Sequence, residues 1–122
     1  MPVGIQYTKG ERLMARFATL AAVMKYIGER YTFTSEHYPA LTSMTPEQKK
    51  AFAVSHSLHH MSKSVGKLAS ECERYDHGGE LDGSVLKEGA VKMFINTLKL
   101  AEELGISAEE LADSVPEFMK SR

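Results

Sequence analysis

Apolar side chains recur at alternating intervals of three and four residues between Thr45 and Gly79, a spacing typical of one long amphipathic helix. Its predicted start is Thr45, because Pro46 suits the first helical position and Gln48 completes a T-x-x-Q capping box. Gly78 and Gly79 are expected to end it. We predict that its apolar stripe is core, and the stripe comprises Ala51, Val54, Leu58, Met61, Val65, Leu68, Cys72 and Tyr75.

The same helical count places a polar group on roughly the opposite side of this helix from the apolar stripe. The group consists of His56, His60, Lys63, Lys67 and Arg74. We therefore expect this side to be polar, while the apolar stripe packs against the other helices.

Three further helices are predicted. Thr8 and Glu11 form a capping box, and the apolar spacing after it continues without a break to Tyr31. Another helix is expected from Asp82 or Ser84 to Leu104. Residues 1–7 are predicted to be a loose leader and residues 32–44 a long connecting loop.

The last two helices are separated at Gly105, a residue suited to the position after a helix end. Ser107 and Glu110 form a capping box for a short final helix, which Pro116 is expected to kink or divide. Residues 1–122 thus form a single all-α domain, a four-helix bundle. The third helix is apolar over more than half of its circumference, so we expect a homodimer to cover the excess.

Composition narrows the possible functions of the chain. A formal net charge of −1 over 122 residues argues against a strongly basic nucleic-acid binder. No apolar run approaches the roughly 20 residues that span a membrane. The lone Cys72 lies on the apolar stripe, which favours a buried thiol in a reducing compartment. We expect a cytoplasmic protein.

Two short segments carry a family resemblance: V-G-K-L-A at 65–69 and L-A-E-E-L-G-I at 100–106. They resemble motifs of the MazG-like, all-α nucleoside triphosphate pyrophosphohydrolases, and the resemblance covers roughly residues 58–122. It implies a MazG-like bundle. In that family, carboxylates hold Mg²⁺ against the substrate phosphates so that water can attack the phosphoanhydride.

The carboxylates of the family are replaced in this chain. Matching the first motif puts Lys63, Ser64 and Lys67 at the positions of its three Glu residues, and matching the second puts Gly89 and Lys92 at those of its Glu and Asp. An ammonium group cannot coordinate Mg²⁺ and repels it. We therefore expect no Mg²⁺-dependent pyrophosphohydrolysis at this site.

Two interpretations of the replaced site remain open. In one, the three lysines form a metal-free anion site together with His60 and Ser64, and they bind phosphate groups directly. This candidate site comprises Lys63, Lys67, Lys92, His60 and Ser64. In the other, the lysines are solvated, and Glu88–Lys92 and Lys99–Glu103 are ordinary pairs on the polar face of the third helix.

The histidines are candidate metal ligands. His56 and His60 stand one helical turn apart with His59 adjacent, and His37 or His77 is a distant candidate for a third ligand. Their immediate neighbours are serines and lysines rather than the carboxylates that usually orient metal-bound histidines, and no H-E-x-x-H motif is present. We expect no physiological metal at this position.

Three hypotheses for function follow. The first is a divergent MazG-like protein that binds a nucleotide, another phosphorylated ligand or a protein without catalysing the family reaction. The second is an active nucleotide pyrophosphohydrolase with carboxylates from unmatched positions, among them Glu71, Glu73, Asp76 and Glu88. The third is a structural or regulatory helical interaction module.

Overall fold

The computed structural model describes residues 19–120, and this part of the chain is all-helical. The four α-helices are α1 (Leu20–Arg30), α2 (Pro46–Asp76), α3 (Gly83–Glu103) and α4 (Ala108–Met119), with a 3₁₀ helix at Pro39–Ser43. The predicted all-α class is thereby confirmed. None of the described helices is long and apolar enough to cross a membrane.

Local capping sets the helix ends, as the sequence predicts. The Thr45 side chain accepts a hydrogen bond from the Gln48 amide, and the Gln48 side chain accepts one from the Thr45 amide, which completes the capping box of α2. Asp82 caps α3 and Ser107 caps α4. Gly105 adopts a φ of 73° directly after α3, a conformation that favours glycine.

The first predicted helix differs from expectation at Thr19. This residue has an extended backbone, and its side chain accepts a hydrogen bond from the Ala22 amide, so α1 begins at Leu20. The apolar spacing therefore continues through a residue that is itself not helical. The Thr8–Glu11 capping box and the leader at 1–7 lie outside the described residues. At the other end of the chain, α4 continues through Pro116 to Met119, so Pro116 does not divide it.

The main core lies between α1 and α3. Met24 and Ile27 pack with Leu98 and Ala101, and Leu98 is only 1% exposed. The first residues of α4 pack against the edge of this cluster. The connection between α1 and α2 is anchored by Leu41, which is buried within the 3₁₀ helix.

The orientation predicted for α2 is wrong. Its buried residues are Ala53, Ser57, Ser64 and Glu71, not the apolar stripe. At about 100° per residue, this buried line lies roughly 80° around the helix from the centre of the stripe. The small side chains of Ala53, Ser57 and Ser64 allow α2 to approach α3 closely, and of the apolar stripe Leu68 reaches the contact, where it lies against Gly89.

The rotation of α2 leaves much of the predicted core in solvent. Leu58 is 46% exposed and Val65 is 49% exposed. Cys72 is also exposed, which corrects the expectation of a buried thiol. On α3 the Lys99–Glu103 pair of the second interpretation is present, with the ammonium and carboxylate groups 3.0 Å apart, and the Lys99 ammonium group also lies 3.5 Å from Glu102. Lys99 itself is buried, so this residue does not lie on an exposed polar face.

Candidate functional site

A pocket of about 430 Å³ lies beside the contact between α2 and α3. All five residues of the predicted anion site line it. The complete lining consists of Tyr31, His60, Lys63, Ser64, Lys67, Lys92, Ile95 and Asn96. We call it the lysine pocket. Its volume falls within the range of about 300 to 1,000 Å³ that is usual for small-molecule sites.

The lysine pocket has an unbalanced positive charge. Lys92 pairs with Glu88, with Nζ and Oε1 2.7 Å apart. Within residues 19–120, neither Lys63 nor Lys67 has a carboxylate within 4.0 Å of its ammonium nitrogen. The lysine side chains are solvent-accessible, so they are free to rotate toward an anion. The lining includes no acidic residue.

Gly89 is buried against α2. A Cβ atom built on Gly89 would stand 2.5 Å from Cδ2 of Leu68. A larger side chain at this position would therefore have to displace Leu68. Gly89 does not line the lysine pocket, whereas Lys92, one helical turn later, does.

The predicted histidine pair is brought together at one end of the pocket. Nε2 of His60 lies 2.9 Å from Nε2 of His56, and the Tyr38 hydroxyl lies 3.0 Å from the same His56 atom. Phe52 stacks on the His56 ring, and Phe33 meets it edge-on. Tyr38 of the connection between α1 and α2 contacts His56, His56 contacts His60, and His60 lines the lysine pocket. The histidine pair therefore links this connection to the pocket.

The third metal ligand considered in the sequence does not join this pair. His37 instead contacts the Thr34 hydroxyl through Nδ1 at 3.0 Å, and His77 lies at the far end of α2 beside Glu73. Over the described range, no group of three or more His, Cys, Asp or Glu side chains is arranged to hold a metal ion. Aromatic rings of Phe33, Tyr38 and Phe52 contact His56.

The surroundings lower the pKa values of both histidines below their ordinary value of 6.5. Burial is the largest cause for each. For His56 the next cause is the positive charge of a protonated His60, and for His60 it is the Lys63 ammonium group. Protonation of both rings would also place two N–H donors against each other, which would break the contact between their Nε2 atoms.

The histidine pair predicts a specific dependence of stability on pH. Because the folded pKa values lie below the unfolded value of about 6.5, the unfolded chain binds more protons as the pH falls through that value. The free energy of unfolding should therefore decrease from pH 7.5 to 5.5, and the decrease should be smaller in the double variant His56→Gln, His60→Gln. Urea unfolding at several pH values measures this, with His77→Gln as the control. An identical pH dependence in wild type and double variant would contradict the prediction.

The carboxylates of the pyrophosphohydrolase hypothesis are largely committed to other partners. Glu71 is buried, and its carboxylate accepts hydrogen bonds from the Arg74 guanidinium at 2.7 to 3.0 Å and from the Asp82 amide at 3.3 Å. Glu88 pairs with Lys92, which holds the pKa of Glu88 below its ordinary value. Glu73 and Asp76 are exposed near the end of α2. None of the four lines the lysine pocket.

Sequence reasoning missed three residues of the lysine pocket: Tyr31, Ile95 and Asn96. Tyr31 ends the apolar spacing of α1, and Ile95 and Asn96 follow Lys92 on α3. Their grouping depends on how α1, α2 and α3 are placed relative to one another, which no single-helix pattern contains. The polar Asn96, which directly follows the apolar residues Phe94 and Ile95, was the one available indication.

No protein-family model, curated protein or solved structure matches this chain.

Proposed function

We propose that this protein binds a nucleotide or another phosphorylated small molecule in the lysine pocket, without Mg²⁺ and without the pyrophosphohydrolase activity of the family that it resembles. One observation carries the proposal. Three lysines from two helices, with His60 and Ser64, line a single pocket of about 430 Å³ that has no acidic residue in its lining. Ammonium groups bind phosphate by direct charge-assisted hydrogen bonds, which need no metal.

A second lysine-lined groove on the described surface has a lining that is better balanced in charge. That groove, of about 560 Å³, is lined by Lys49, Lys50 and Lys99 but also by Glu102 and Glu103, and its Lys99 is already paired with both carboxylates. Lys49 and Lys50 also have no carboxylate within 4.0 Å among the described residues, but an anion in this groove would meet the two glutamates of its lining, whereas the lining of the lysine pocket contains no carboxylate. This comparison favours the lysine pocket as the anion site.

A metal-independent thermal shift tests the proposal. Nucleoside mono-, di- and triphosphates should raise the melting temperature in the presence of a chelator as much as in the presence of Mg²⁺. A ligand at 100 times its Kd stabilises the fold by about 2.7 kcal/mol, which is several degrees for a domain of this size. A flat response across the screen would remove the proposal. Pyrophosphate release that stops on chelation would instead support the pyrophosphohydrolase hypothesis.

We further propose that the protein is a homodimer, formed by the side of α2 and α3 that faces away from the lysine pocket. The proposal is supported by a run of uncharged positions, which we call the apolar face. On α2 it includes Leu58, Met61, Val65, Leu68 and Cys72, and on α3 it includes Leu86, Ala90, Met93, Leu100 and Leu104. Helical periodicity places both rows on one side of the helix pair.

The size of the apolar face suits a second copy of the chain. The face is roughly 21 Å long on α2, from Leu58 to Cys72, and roughly 27 Å long on α3, from Leu86 to Leu104; two packed helices make it roughly 20 Å wide, which gives a projected footprint of roughly 500 Å². A standard interface buries about 800 Å² on each partner. A two-fold axis would place the same rows against each other, so that α2 and α3 of two chains form a four-helix bundle. This arrangement would also match the MazG-like bundle that the resemblance implies. We expect the protein to be cytoplasmic.

A further inference from the structure

The net positive charge of the lysine pocket indicates how much negative charge the phosphate group of its ligand should carry. Glu88 pairs with Lys92 and also experiences the charge of Lys67, so the three lysines retain two positive charges in excess, and neither Lys63 nor Lys67 has a carboxylate within 4.0 Å in the described structure. A phosphomonoester carries a charge of about −1.5 to −2 at neutral pH, which these two groups balance. A triphosphate has more negative charge than the two ammonium groups can compensate.

Asn96 adds a requirement for the rest of the ligand. Its side-chain Nδ2 donates to the Lys92 carbonyl at 2.8 Å, which fixes the amide orientation, and its Oδ1 has no hydrogen-bond partner. Asn96 is 5% exposed and lines the lysine pocket, and its Oδ1 has less than 1 Å² of accessible surface, so a donor in the pocket would reach this atom by displacing a side chain of the pocket wall. A buried acceptor without a partner is costly, so an N–H or O–H group of a ligand would relieve a cost already present in the fold.

The remaining wall of the pocket is apolar. Tyr31 and Ile95 line it, and Tyr31 is held edge-on to the His60 ring with a centroid distance of 6.0 Å. The phosphate side and the apolar side thus lie in one cavity, with Asn96 beside them. This arrangement suits an organic phosphate better than inorganic phosphate, because the organic part would cover the ring and the aliphatic side chain.

We infer that the ligand is a phosphomonoester whose organic part carries a hydrogen-bond donor, with the phosphate bound by Lys63 and Lys67 and the donor bound by Oδ1 of Asn96. Nucleoside monophosphates and sugar phosphates share this chemistry. The inference rests on the proposed phosphate-binding function and names its ligand class.

Calorimetric titration of the wild-type protein in chelator tests the ligand class. The probes are inorganic phosphate, methyl phosphate, ribose 5-phosphate, AMP and ATP. Methyl phosphate is a phosphomonoester without a donor on its organic part, so the donor-bearing phosphomonoesters should bind at least about tenfold more tightly. Comparable binding of ribose 5-phosphate and AMP would place the donor on the sugar, and tight binding of AMP alone would place it on the base. Tighter binding of ATP than of AMP would overturn the charge argument.

The variant Asn96→Leu tests the residue. Leucine has a similar volume and removes the unpartnered acceptor, so the ligand-free protein should melt no lower than wild type. Its affinity for ribose 5-phosphate and AMP should fall about tenfold, so that the variant no longer distinguishes these two ligands from methyl phosphate. Equal wild-type affinity for methyl phosphate and AMP would overturn the inference even if the variant failed to fold. An absence of binding by every phosphate would overturn the proposed function itself.

Discussion

Replacing Lys67 by Glu is expected to weaken binding of AMP at least about 100-fold. The change removes one charge-assisted hydrogen bond to the phosphate, worth about 1.5 to 3 kcal/mol, and sets a carboxylate against the phosphate oxygens. Lys63→Glu should have a similar effect, because Lys63 stands one turn earlier on α2 and lines the same pocket. The measurement is a calorimetric titration of each variant in chelator.

Lys87→Glu is the matched control for this experiment. Lys87 is an exposed lysine of α3 that lies outside the lysine pocket, and its replacement changes the net charge by the same amount. The control should retain wild-type affinity. Equal losses in Lys67→Glu and Lys87→Glu would mean that only the overall charge matters, and wild-type affinity in all three variants would exclude the pocket as the binding site.

Replacing Val65 by Asp is expected to convert a homodimer into a monomer. Val65 lies midway along the apolar face of α2 and is 49% exposed in the single chain. In a two-fold dimer, the substitution would place two aspartates in the interface, one from each chain. Burying these two charges should weaken association by at least about 100-fold. Light scattering coupled to gel filtration at micromolar concentration should give twice the chain mass of 13.5 kDa for wild type and 13.5 kDa for the variant.

Ser70→Asp controls for the added charge. Ser70 is exposed on the other side of α2, so this variant should remain a dimer. Circular dichroism should show equal helicity in all three proteins, which separates dissociation from unfolding. A monomeric wild type, or a dimeric Val65→Asp, would exclude the apolar face as the interface.

The parts of the fold that could be predicted are those that depend on neighbouring residues. Thr45, Asp82 and Ser107 each cap a helix through a hydrogen bond to a backbone amide two or three residues later. Such contacts are contained in a segment of four residues, so the sequence states them directly. Thr19 is the exception, because the apolar spacing around it continues without interruption.

The orientation of α2 could not be predicted in the same way. Periodicity identifies the most apolar side of a helix, and for α2 that side includes Leu58 and Val65. The side that packs on α3 was instead decided by the small residues Ala53, Ser57 and Ser64, which allow close approach. The periodicity of one helix gives no information about how its side chains pack against those of another helix. For the same reason, Asn96 was missed as a neighbour of the lysines.

The close packing of α2 on α3 sets the distance between the lysines that the two helices contribute to the lysine pocket. Gly89 faces Leu68 across the contact, and a Cβ atom at Gly89 would meet the leucine side chain. Lys63 and Lys67 project from one helix and Lys92 from the other, so the spacing of the two helix axes also sets the span between their ammonium groups. Gly89 does not line the pocket, yet it keeps that span short. The distance across the lysine pocket from α2 to α3 is therefore governed by the absence of a side chain at a residue that does not line it.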